Sequence, residues 1–177
     1  MDLYLWLKLG GLCCLFVSCL GFGMDAERNL KLRWRLFAEA KDVFAILEKE
    51  MIFHHARADD ALKLASGGLC TCLSELLLEA ASQIEHGKGE SFEQIWKMAV
   101  KNRIPKYLLK TEETELLCRA SSALCCSDTI MQKTLLLQNQ ERFAHLSDSA
   151  KKEYQEKGSL VRRLSVAGGV FLVILLL

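Results

Sequence analysis

The sequence predicts an all-α protein: an antiparallel six-helix bundle with an N-terminal transmembrane helix and a short C-terminal apolar membrane segment. Three observations lead there. Pro105 is the only proline in 177 residues, no run alternates apolar and polar positions as a half-buried strand would, and apolar residues recur at helical spacing through the charged middle. Hydrophobic residues make up 51% of the chain, and the excess lies mainly at its two ends. Lysine plus arginine (23) nearly balance aspartate plus glutamate (22), so no overall field draws the chain toward nucleic acid or an acidic substrate.

The first element is "LYLWLKLGGLCCLFVSCLGFGM", residues 3–24, with Lys8 as its single charge. As a helix it extends about 33 Å, enough for a hydrocarbon core of roughly 30 Å. Lys8 lies near one end, where its stem can reach the headgroups. Arg28, Lys31, Arg33 and Arg35 follow at once, which puts the start outside and the next domain in the cytoplasm. At the other end, 160–177, Arg162 and Arg163 again lie on the domain side of an uncharged run from Leu164 to Leu177. That run spans only about 21 Å as a helix, so it either inserts partway or crosses a thinned bilayer. Both ends then fasten one domain face to the membrane.

Each end has a competing reading. Residues 3–24 also fit a cleaved signal peptide, and "FVSC", Phe16 to Cys19, approximates a lipoprotein cleavage box with phenylalanine where leucine is usual. An exported domain using its cysteines for metal or redox binding would result, with an odd number of cysteines that suits a disulfide scaffold badly. The C-terminal run fits a buried core helix, although a double arginine before an unbroken apolar end favours membrane.

The middle, 27–157, reads as the bundle. Leu30, Phe37, Phe44 and Met51 recur every seven residues, with Leu36, Val43 and Leu47 widening the same face of one long helix. Asp59 or Asp60 is placed to cap a short second helix that ends at Gly67-Gly68. A third runs from Leu69 to His86 and stops at "GKG". Ser91 with Gln94 is a capping-box pattern opening a fourth, with Phe92, Ile95, Trp96 and Ala99 inward. Pro105 separates it from a fifth, near 111–126. The last spans about 129–156, with Met131, Leu135, Phe143 and Leu146 inward.

Between the last two helices lies "ALCCSDTIMQ", 123–132, which raises the choice between a metal or redox centre and a helix joint. Asp128 sits where its carboxylate can accept from the unpaired N–H groups of the following helix, and Thr129 with Gln132 offers an alternative box. Ser121 and Cys125, four apart, present two small side chains for close packing. A joint explains every position. A zinc site would draw on Cys70, Cys72, Cys125, Cys126 and one of His54 and His55. However, Cys-x-Cys and Cys-Cys are not its usual spacings, and residues 70 and 72 of a helix point about 200° apart. Glu112, Glu113 and Glu115 read as the solvated first turn of a helix. No nucleophile has a base at recognisable spacing, and there is no phosphate loop or HExxH, so the sequence supports neither catalysis nor a cofactor.

Over nearly its whole length the chain resembles the stage III sporulation protein AB family of endospore-forming Firmicutes. That family is related to the cytoplasmic domain of type II secretion F-type platform proteins. The resemblance is carried by "LKLGGLCCLFVSCLGFGM" leading into an arginine-bearing helix, by "EMIFHHARADDA" from Glu50, and by "SFEQIWKMAV" with Trp96. Most specific is "LLCRASSALCCSDTIMQKTLLL", with Leu124, Asp128 and Gln132 at family positions, and "GGVFLVILLL" closes the match. The family has Thr-Pro-Leu where this chain has Ala56-Arg57-Ala58, and glycines at Ser121 and Cys125. The resemblance implies a non-enzymatic part of a channel joining mother cell to forespore, held in the mother-cell membrane around the forespore with its bundle facing the cytoplasm. It implies other membrane proteins of that channel and a cytoplasmic ATPase as partners, together with the bilayer and a possible second copy.

Overall fold

The computed structural model describes residues 2–86 and 91–176, and side chains throughout these except at 2–10, 12–16, 19, 172, 173, 175 and 176. Among the described residues six helices follow in order: α1 (Asp2–Glu48), α2 (Ala58–Ser66), α3 (Leu73–Glu85), α4 (Phe92–Arg103), α5 (Thr111–Arg119) and α6 (Thr129–Leu176). A π-helical turn, Lys49–Phe53, ends α1, and a 3-10 turn, Ala120–Ala123, follows α5. Among the described residues there is no strand. The expected "GKG" stop falls at 87–89, outside the described residues.

The chain divides into two units, one of residues 32–149 and one of the terminal segments 1–31 and 150–177. The middle of the face expected for α1 is buried in the first unit: Leu36, Phe37, Val43, Phe44 and Leu47 are sealed from solvent, whereas Leu30 and Met51 at the ends of that face are half-buried. Phe143 of α6 stacks on Phe44 with ring centroids 5.3 Å apart and on Phe37 at 6.4 Å. Each such side chain contributes about 1.5–3 kcal/mol through its burial. Successive helices then pack on one another, α2 on α3, α3 on α4 and α4 on α5.

Several boundaries differ from expectation. Arg57, in extended backbone, is the N-cap of α2, and Asp59 sits buried one position inside the helix, accepting from Arg57 Nε at 3.1 Å. Helix α3 starts later than Leu69 because Glu39 of α1 clamps the preceding loop. Its carboxylate accepts from the backbone N–H of Cys70 and Thr71, both at 3.1 Å, and from Thr71 Oγ1. Helix α4 stops before Pro105, and Ile104 takes the extended conformation that proline imposes on its predecessor. Gly68, with φ of 85°, supplies the left-handed turn after α2.

Helix α5 ends at Arg119, well short of 126, and α6 runs on past 156 to Leu176. The inward face of α6 is also displaced. Leu136, Asn139, Phe143, Ser147 and Ala150 are buried, whereas Met131 is 56% exposed and Leu135 and Leu146 are half-buried. Asn139 and Ser147 belong to the buried stripe, and a reading of apolar residues alone passes over them.

In the terminal unit, Gly23 of α1 lies against Ser165 and Arg162 of α6, and Glu27 lies beside Gly158 and Arg162. Rising numbers in α1 therefore meet falling numbers in α6, so these two segments run antiparallel. Val17, Phe22, Met24, Leu160, Leu164, Val170, Phe171 and Ile174 are exposed here. Among the described residues no helix is long and apolar enough to cross a membrane. Most side chains of the expected span over 3–24 lie outside the described ones.

Candidate functional site

The stretch between α5 and α6 is a joint, and its construction starts at the last turn of α5. The final carbonyls of a helix lack in-helix amide partners and must find donors elsewhere. Here they are met one after another by side chains. Trp96 Nε1 donates to the Leu117 carbonyl at 2.8 Å, in a buried contact that ties α4 to α5. Ser121 Oγ donates to Cys118 O at 3.0 Å and Ser122 Oγ to Arg119 O at 2.9 Å. Asn139 Nδ2, from α6, reaches Ala120 O at 3.4 Å. No buried side-chain nitrogen or oxygen among the described residues is left without a partner.

The far side of the joint opens α6. Asp128 Oδ1 accepts from the Ile130 N–H at 2.9 Å, and the Asp128 carbonyl accepts from Gln132 N at 2.7 Å. Asp128 is therefore an N-cap that satisfies one of the unpaired donors at the start of α6. Ser91 caps α4 in the same way, accepting from Gln94 N.

The first turn of α5 holds what the sequence reading missed. Glu113 is 7% exposed, not solvated. One oxygen accepts from the Lys110 N–H at 2.9 Å and from Arg33 Nε at 3.1 Å, and the other accepts from Arg33 Nη2 at 2.5 Å. Arg33, expected to flank a membrane, is thus a largely buried cation that fixes α1 to α5. A glutamate three positions beyond a helix start is a cap signal, but three glutamates in one turn disguised which one served.

The remaining predicted residues fall as follows. Leu124 and Ser121 are buried, while Glu50 in the π turn and Gln132 are half-buried. Cys125 is exposed, against the expectation that it packs beside Ser121. The 3-10 turn Ala120–Ala123, which contains Ser121, shifts the helical phase, so a spacing of four no longer returns to the same face. Arg28, Arg35 and Arg163 are exposed and Lys31 is half-buried; Arg162 is exposed and lies 3.8 Å from Glu27.

Three thiols are pushed away from activation. Burial pushes the Cys72 and Cys118 thiols up, against the partial relief that Lys101 and Lys97 give Cys118. Partial covering of its sulfur, with Glu93 nearby, does the same to Cys125. Raised thiols are poor nucleophiles and poor metal ligands. Among the described residues no three of histidine, cysteine, aspartate and glutamate are grouped to hold a metal ion.

The fold and this joint define a class, an all-α module whose polar side chains close helix ends and pin helices together. A sequence model described as Stage III sporulation protein AB matches residues 8–177. The chain belongs to the stage III sporulation protein AB family. A solved structure titled Stage III sporulation protein AB shares its fold, with a TM-score of 0.62 at 20% identity, over 70% of this chain and 97% of that one. No curated protein matches.

Proposed function

We propose that the chain is a non-enzymatic, membrane-anchored adaptor of a secretion-like sporulation channel between mother cell and forespore, needed after engulfment. Family membership supplies the process. The observation that carries the anchoring is the terminal unit's surface, where Phe22 is 75%, Leu164 68% and Ile174 69% exposed. Leaving such apolar area in water is unfavourable by about 25 cal/mol per Å2, and a bilayer removes that cost. The exposed cations Arg28, Arg162 and Arg163 stand beside these ends and suit a headgroup layer on the mother-cell side. The bundle then faces the mother-cell cytoplasm, within reach of an ATPase and of other membrane proteins of the channel. The interior polar groups support a mechanical role, because they join helices to one another.

The test is deletion of the gene in its native host with microscopy through sporulation. Forespores that engulf and then stall or collapse, rescued by the wild-type copy, are the expected result; normal heat-resistant spores would refute the role. Topology is checked separately. An impermeant thiol reagent on intact cells should spare Cys70, Cys72, Cys118, Cys125 and Cys126, and their labelling would place the bundle on the opposite side.

A further inference from the structure

A cleft of about 260 Å3 opens between the end of α4 and the start of α5, with Lys101, Lys106, Thr111 and Thr114 on its walls. Its floor is apolar, formed by the buried Val100, Ile104 and Leu109 with Pro105. Its walls carry two ammonium groups and two hydroxyls, and no carboxylate lines it. Lys101 and Lys106 are both exposed, whereas the neighbouring Lys97 is already engaged with Glu93 at 2.7 Å. Pro105, which provides no N–H and follows the end of α4, also lines the cleft.

We propose that this cleft docks an acidic peptide segment of a protein partner, one that sets a bulky apolar side chain on the floor and places carboxylates against Lys101 and Lys106. Charge complementarity selects this occupant: cations without carboxylates line an apolar pocket, and an anionic segment with an apolar anchor satisfies both features. A long polyanion such as nucleic acid is disfavoured, because Glu112 and Glu115 are exposed on α5 just beyond the cleft. A flat headgroup layer does not reach a concave floor. This inference is independent of the membrane anchoring proposed above.

The test is fluorescence anisotropy of a labelled peptide of alternating glutamate and leucine, titrated with the full chain in detergent. Peptides of alternating serine and leucine, and of alternating lysine and leucine, serve as controls. The glutamate peptide should bind, and the paired change Lys101→Glu with Lys106→Glu should weaken it by about ten-fold or more. Thr111→Trp, which fills the cleft and leaves both lysines, should weaken it comparably. The paired change Lys49→Glu with Lys133→Glu, made elsewhere on the same unit, should leave it unchanged, and circular dichroism should show every variant folded. Equal loss with both lysine pairs would reduce the effect to general charge attraction and overturn the proposal. So would equal binding of the serine peptide, or loss of anionic-vesicle binding with Lys101→Glu and Lys106→Glu while peptide binding persists.

Discussion

Arg33 grips Glu113 with two guanidinium nitrogens, at 3.1 and 2.5 Å, across 80 residues of sequence. Both side chains are largely removed from water, at 12% and 8% exposure. Such a pair adds little relative to a well-packed apolar substitute, yet breaking one side strands a buried charge. Glu113 also accepts from the Lys110 N–H, so its loss uncaps α5 as well.

Glu113→Ala should therefore lower stability by about 3–5 kcal/mol, measured by urea unfolding of the full chain in detergent. Glu112→Ala, one position away and exposed, should stay within about 0.5 kcal/mol. Arg33→Met combined with Glu113→Leu should recover most of the loss. Equal costs for Glu112 and Glu113 would contradict the pairing.

Trp96→Phe keeps most of the ring's burial but removes the donor to Leu117 O. The abandoned carbonyl is buried, so the expected cost is about 1–3 kcal/mol. Phe92, whose ring stands 6.0 Å from that of Trp96, offers no replacement donor. The same unfolding measurement decides it.

Asp128→Ala should cost roughly 1 kcal/mol through the lost cap, and Asp128→Asn a few tenths at most, since asparagine caps comparably. Thr129→Ala should be near neutral. A cost at Thr129 with none at Asp128 would move the cap to the alternative box. Cys125→Ala, at an exposed position, should be mild.

The pH dependence should carry a signature of Glu79. The side-chain bond from Arg103, helped by Asn102, holds its carboxyl below the usual carboxylate range against opposing desolvation. A depressed folded-state value means stability that is present above the unfolded carboxylate range and lost as pH falls through the lower folded value. Arg103 is partly exposed, so solvent screening keeps the effect modest. Thermal midpoints from neutral pH into that acid range should fall more steeply for the wild type than for Glu79→Gln. Identical slopes would remove Glu79 from the account.

These relationships mark what the sequence could and could not carry. The core face of α1, the glycine stop of α2, the Ser91 cap and the Asp128 cap were legible, because each depends on neighbours within a turn or two. Glu113 and Arg33 were not, because their meaning comes from a partner 80 positions away. Glu39, which delays α3 by clamping residues 70 and 71, was hidden for the same reason. The early end of α5 was hidden because Trp96 and Asn139, on other helices, satisfy its last carbonyls and leave no local stop signal in the run.

Gly23 offers the sharpest contrast within a single helix. A β-carbon at Gly23 would overlap the Ser165 side chain, whereas one at Gly21 would meet nothing within 4 Å. Ser165 cannot swing clear: its Cβ is fixed to the backbone, and its hydroxyl donates to Val161 O at 2.9 Å. Gly21→Ala should therefore gain up to about 1 kcal/mol from helix propensity alone. Gly23→Ala should instead lose about 1–3 kcal/mol, because the helices must separate to admit one methyl group. Adding Ser165→Gly to Gly23→Ala moves the bulk from one helix to the other and should recover part of that loss, despite the propensity cost of a new glycine. Thermal unfolding of the full chain in detergent compares all three. If Gly21→Ala and Gly23→Ala behave alike, the terminal segments do not pack through Gly23 and Ser165; opposite signs, with partial recovery in the double variant, fix that contact.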